Sequence, residues 1–158
     1  MVNDGGLIAK LEQWFADQLA ALQYDNALVF KTAEVWKHQI AAISAGTEAF
    51  DRYQPFAFVS FLTTEGAREG SYDLRQVLEF AIVLGVKGAA DGVARFGDAN
   101  NLGISKIRDL VIDLFDKKRP TSEDFTCDEI YYTGDFPIVD LPRHYAIQMS
   151  FEVSQLTV

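Results

Sequence analysis

The sequence predicts an α+β domain, a mostly antiparallel sheet with two helices packed on one face. Three observations lead there. Apolar residues recur at helical spacing in two separate stretches, they alternate with period two in two others, and the helical and alternating stretches are interleaved along the chain.

The first helical stretch follows Asn3 and Asp4, candidate caps, and places Leu7, Ile8, Leu11, Trp14, Phe15, Leu19 and Leu22 on one stripe, which predicts a helix over about residues 5–22. The Asp25-Asn26 pair breaks it, and residues 27–30 read as a short strand. Residues 32–45 stay open. Val35, Trp36, Ile40 and Ile43 suit a helix, yet β-branched and aromatic side chains equally suit a continuing strand.

Pro55 introduces the β-rich apolar run 56–62, and residues 63–73 read as a polar, glycine-containing link. Beyond it Leu74, Gln76, Leu78, Phe80, Ile82, Leu84 and Val86 share one parity, with Arg75, Glu79 and Lys87 on the other. This predicts a strand with one buried and one more polar face, forming an antiparallel hairpin with the preceding run.

Residues 88–103 are rich in Gly, Ala, Asp and Asn and long for a connection within a compact domain, so they are a candidate functional loop. The second helix is expected over 104–118. Ile104, Ile107, Leu110, Val111, Leu114 and Phe115 form its stripe, Asp109, Asp113 and Asp116 its solvated side, and Pro120 its stop. Residues 129–133 suit a strand and 134–143, with Pro137 and Pro142, an irregular link. In the last strand Tyr145, Ile147, Met149, Phe151 and Val153 face one way and Gln148, Ser150, Glu152 and Ser154 the other.

The chain of 158 residues fits one domain, 1–158, with 49% hydrophobic and 23% charged residues, a composition that favours folding over disorder. Its formal charge of −9 opposes close approach to phosphate backbones and anionic lipid. The dense basic run Lys117-Lys118-Arg119 sits at the end of the second helix. There it reads as complementing the partial negative charge of that terminus and not as a nucleic-acid contact. The lone Cys127 allows no intramolecular disulfide, which fits a reducing cytoplasm. No basic segment leads into a long apolar run at the amino terminus, so neither export by that route nor membrane embedding is expected. Aromatics, at 13%, favour an oligomer.

No motif carries catalysis or a cofactor. His38 and His144 lack neighbours at metal spacing, and no nucleophile elbow, phosphate loop or zinc-protease helix occurs. Asp98, Asn100, Gly103 and Asp109 approximate a calcium loop, but Leu102 takes a ligand position and Asp109 is shorter than the usual bidentate Glu. Glu65 with Glu69 reads as a pair of solvated loop carboxylates. Ser60 with His144 and an Asp elsewhere is a combination that any chain of this size contains. The expectation is a non-enzyme without cofactor or metal.

The blocks 55–62 and 74–82, the helix 104–118 and the strand 145–153 together resemble, in order and apolar pattern, the tail terminator and tail-completion proteins of tailed phages, most of all their Mu-like prophage branch. The resemblance implies a homo-oligomeric ring, commonly a hexamer, that caps the tail tube and joins it to the head. It also implies assembly in the host cytoplasm, residence in the virion tail, tube and connector proteins as partners, and no sequence-specific DNA binding. Under it the segments 63–73 and 88–103 become contacts to neighbouring subunits or the tube, with Glu65, Arg68, Glu69, Tyr72, Arg95, Phe96, Asp98, Asn100 and Asn101 as interface residues. The alternative is a small-molecule- or peptide-binding α+β module with a pocket lined by Phe56, Phe58, Phe80 or Trp36 between sheet and helices.

Overall fold

A computed structural model describes residues 6–36, 54–69, 73–87, 97, 102–123, 125–138 and 144–157. Helix α1 spans Gly6–Ala21, close to its sequence expectation. It ends in a two-residue hairpin, β1 (Gln23–Tyr24) with β2 (Ala27–Leu28). Asp25 and Asn26 do more than break the helix. They form the hairpin turn at φ of 50° and 64°, the left-handed region that Asp and Asn tolerate and a type I′ turn needs. Val29 and Phe30, expected to continue a strand, leave it and bury in the core.

The main sheet has five strands in the order β3-β4-β5-β7-β6, where β3 is Thr32–Val35, β4 Phe56–Glu69, β5 Asp73–Lys87, β6 Ile130–Ile138 and β7 His144–Thr157. The β3–β4 pair is parallel and the other three pairs are antiparallel, which is the mostly antiparallel α+β architecture expected. Part of the open stretch 32–45 is therefore strand, and its residues from 37 on lie outside the described ones. Helix α2 covers Ile104–Phe115 and stops one turn short of the expected end.

Both helices lie on one face of the sheet. Phe15 of α1 meets Phe115 of α2 at 4.9 Å between ring centroids, Phe80 of β5 at 5.2 Å and Phe151 of β7 at 6.5 Å. Leu11, Leu19, Ile107, Val111, Ile82, Leu84 and Met149 fill in around this aromatic centre, all fully buried. The period-two reading of β7 holds, with Ile147, Met149, Phe151 and Val153 buried beneath the helices.

The one-polar-face expectation for β5 does not hold. Ala81 and Val83, on the parity opposite Phe80 and Ile82, are also buried. The reason is a second apolar cluster on the far face, where Phe56, Phe58, Val83 and Ala146 pack together with Trp36 and Ile138 against them. This also explains why Phe56, Ala57, Phe58 and Val59 are apolar without alternation, because a strand buried on both faces has none to show. Gly85, paired with Phe56, lets that ring lie directly on the backbone. A Cβ at Gly85 would come within 2.1 Å of the Phe56 ring.

Candidate functional site

Two features stand out from the packed core, the sheet edges with which no further described strand pairs and a polar cluster beside α2. The sheet extends beyond the strand that flanks it. Strand β3 pairs with β4 only from Phe56 to Val59 and closes with the Trp36 N–H donating to the Val59 carbonyl at 2.7 Å. Strand β4 runs ten residues further, to Glu69, paired throughout with β5, which is itself paired with β7 as far as Thr157. The expected polar link 63–73 is thus mostly strand, and only residues 70–72 join β4 to β5. Main-chain pairing continues there although the apolar periodicity has ended.

At the point where β3 stops, the register of β4 shifts between Phe61 and Thr63, leaving Leu62 as a bulged and exposed residue. The Phe61 N–H there donates to Glu12 Oε2 of α1 at 3.1 Å. A helix carboxylate thus replaces the missing neighbour strand at this position, as a half-buried amide requires. Beyond it, among the described residues, no strand pairs with the outer edge of β4.

The opposite edge of the sheet is β6. The sequence reading ended this strand at Thr133, but it continues to Ile138 through a bulge between Tyr132 and Gly134, where the Thr133 hydroxyl donates to the Ser150 carbonyl at 3.1 Å. Pro137 is tolerated because β6 is an edge strand and needs no outward N–H. On the face away from the helices β6 exposes two aromatic rings, Tyr131 at 48% and Phe136 at 52%.

The polar cluster joins β6 to α2. Arg108 on α2 donates through Nε to Asp135 at 2.6 Å, through one terminal nitrogen to Asp109 at 3.0 Å and through the other to the Tyr132 hydroxyl at 3.2 Å. The Tyr132 hydroxyl itself donates to Asp135. The bond to Asp135 holds the guanidinium still more firmly protonated than usual, and burial pushes the Tyr132 hydroxyl up, with Asp135 adding and Arg108 opposing. Asp116, expected on the solvated side of the helix, instead accepts the Tyr132 N–H at 3.0 Å and fixes the strand to the end of α2. The remaining space beside Arg108 is a shallow cleft of about 320 Å³ against Ile104, Ser105, Pro137 and Ile147.

One guanidinium between two carboxylates is neutralised, so it offers no free charge to an anion, and a phenol whose pKa is raised is no nucleophile near neutral pH. The chemistry of this cluster is mechanical. It clamps a bulged edge strand to a helix. Burial, followed by the charge of Asp128, likewise pushes the Cys127 thiol up, away from the reactive thiolate.

Of the residues singled out in the sequence, Glu65, Arg68 and Glu69 lie on the extended part of β4, in register with Val77, Leu74 and Asp73. Tyr72, Arg95, Phe96, Asp98, Asn100 and Asn101 lie outside the described residues. Asp109, the last position of the calcium-like loop, pairs with Arg108. Ser60 donates to the neighbouring Phe61 carbonyl at 3.3 Å. Among the described residues the aromatic side chains of the alternative reading do not line one space between sheet and helices. Phe80 is sealed beneath the helices while Phe56 and Phe58 are sealed on the other face of the sheet, with Trp36 packed at their edge. The sequence reading missed the Arg108 cluster, whose members are 24 and 27 residues apart and carry no local pattern.

No family model matches the chain, and no curated protein matches it either. Among the described residues no helix is long and apolar enough to cross a membrane.

Proposed function

We propose that this chain is a structural subunit of a phage or prophage-derived tail, forming a homo-oligomeric ring that terminates the tail tube and joins it to the head. It acts by assembly and not by catalysis. The observation that carries the reading is the asymmetry of the two sheet edges. One is the edge of β4 beyond Phe61, with which no described strand pairs, and the other is the bulged, proline-containing β6 with its exposed Tyr131 and Phe136. Two unlike edges on opposite sides of one subunit suit head-to-tail contacts, and head-to-tail contacts that close generate rings. The resemblance in element order to tail terminators supports this particular assembly, and residues 63–69, one of the contact segments it implies, belong to β4 beyond Phe61.

Light scattering over a concentration series, with negative-stain imaging in the presence of tail tubes, tests the proposal. A ring-forming species, in solution or at tube ends, is the expected result. Persistent monomer together with bare tube ends would overturn it.

A second reading, a small-molecule-binding module, draws on the cleft beside Arg108. Its volume lies at the lower end of the range for ligand sites, and its charged groups already satisfy one another.

A further inference from the structure

Lys117, Lys118 and Arg119 are consecutive, and all three are exposed. Their backbone is tightly held. The Lys117 N–H donates to the Ile130 carbonyl and the Ile130 N–H to the Lys118 carbonyl, both at 2.7 Å, and the Lys118 N–H donates to the Phe115 carbonyl at 3.0 Å. Buried Pro120 and the Thr121–Thr126 bridge fix the chain on the other side. Lys117 sits at φ 62°, a left-handed position just past a helix end where glycine is the favoured residue. The charge of this run can complement the end of α2, but glycine would suit the backbone of Lys117 better. Among the described residues none of the three side chains pairs with a carboxylate, whereas Arg108 is fully engaged and Lys106 lies over the Tyr24 ring.

This rigid cationic tip belongs to a chain of net charge −9. Two such copies repel one another, but at physiological salt the screening length is about 8 Å, so the charges lining a contact decide its sign. A subunit that assembles with its own kind does so most favourably where its charge is locally inverted. We infer that Lys117, Lys118 and Arg119 form the cationic half of an ionic contact with carboxylates of a second copy of this chain. The inference rests on the reading of the chain as a self-assembling subunit.

Sedimentation of the full chain over a concentration series, at low and high salt, tests it. The wild type is expected to associate less as salt rises. The reversal K117E/K118E/R119E should weaken association about 10- to 100-fold at low salt, and the charge-preserving K117R/K118R/R119K should retain it. Should the triple reversal fail to fold by circular dichroism, the single Lys118→Glu and Arg119→Glu variants carry the same comparison. A folded reversal variant that associates like the wild type overturns the inference and leaves the ring reading standing. A wild type that remains monomeric at every concentration and salt also overturns it, whereas the ring reading falls only if tube ends stay bare as well. Binding of short duplex DNA through these residues, without self-association, would assign the tip to phosphates and likewise overturn the inference.

Discussion

Replacing Gly85 with alanine tests the two-faced burial of the sheet at its tightest point. The new Cβ would lie 2.1, 2.5 and 2.7 Å from three atoms of the Phe56 ring, where ordinary contact begins near 3.4 Å. The ring has to retreat by about 1.3 Å, the difference between the shortest of these distances and that contact limit. It has little room to do so, because Phe56 is fully buried and stacked on Phe58 at 4.8 Å between centroids and 23° between planes. Forcing an extra carbon into such a site costs about 1–3 kcal/mol, and the reduced freedom of the unfolded chain returns about 0.4–1 kcal/mol. The net loss lies between about 0 and 2.6 kcal/mol and centres near 1.3 kcal/mol, which lowers Tm by roughly 3–5 °C for a chain of this size. Urea denaturation and thermal melting read both numbers. Combining the change with Phe56→Leu should cost less than the sum of the two single changes, with a coupling of about 1 kcal/mol, because the smaller side chain vacates the space that the Cβ needs. A Gly85→Ala protein as stable as the wild type, or a strictly additive double variant, would refute the stacking of Phe56 on the Gly85 backbone.

Two further outcomes follow from the same physical reasoning. Glu12→Ala removes the acceptor of the Phe61 N–H and should lower stability by about 1–3 kcal/mol in urea, whereas Gln13→Ala, on the exposed side of α1, should change it by less than about 0.5 kcal/mol. For Cys127 and Tyr132 burial raises the folded-state pKa, so the unfolded chain loses these protons first as pH rises. Their contribution is fully present below the unfolded values of about 8.5 and 10 and is lost as pH climbs through the folded ones. Stability measured from pH 7 to 11 should therefore fall above about pH 8.5. The fall should be shallower in Cys127→Ala and in Tyr132→Phe, and equal slopes in all three proteins would contradict the assignment.

The amino-acid sequence by itself determined the elements that bury one face. Helix α1, the stripe of α2 and the alternation of β7 were legible because a single buried face imposes a period of 3.6 or 2 on the apolar residues. The Asp25-Asn26 break was legible as chemistry, although its outcome as a hairpin turn depended on residues 23 and 28 meeting. Tertiary structure decided what no local period records. Residues 63–69 became strand because β5, with β7 beyond it, offered main-chain partners, and β6 ran past Thr133 because a bulge and an edge position accommodated Gly134 and Pro137. The far-face burial of Val83 depended on Phe56, Phe58 and Trp36 arriving from other strands. The Arg108 clamp united residues from a helix and a strand that the sequence shows only as scattered polar positions. Periodicity reports which side of an element is covered. What covers it, and where an edge is left open, is settled only when the strands find their neighbours.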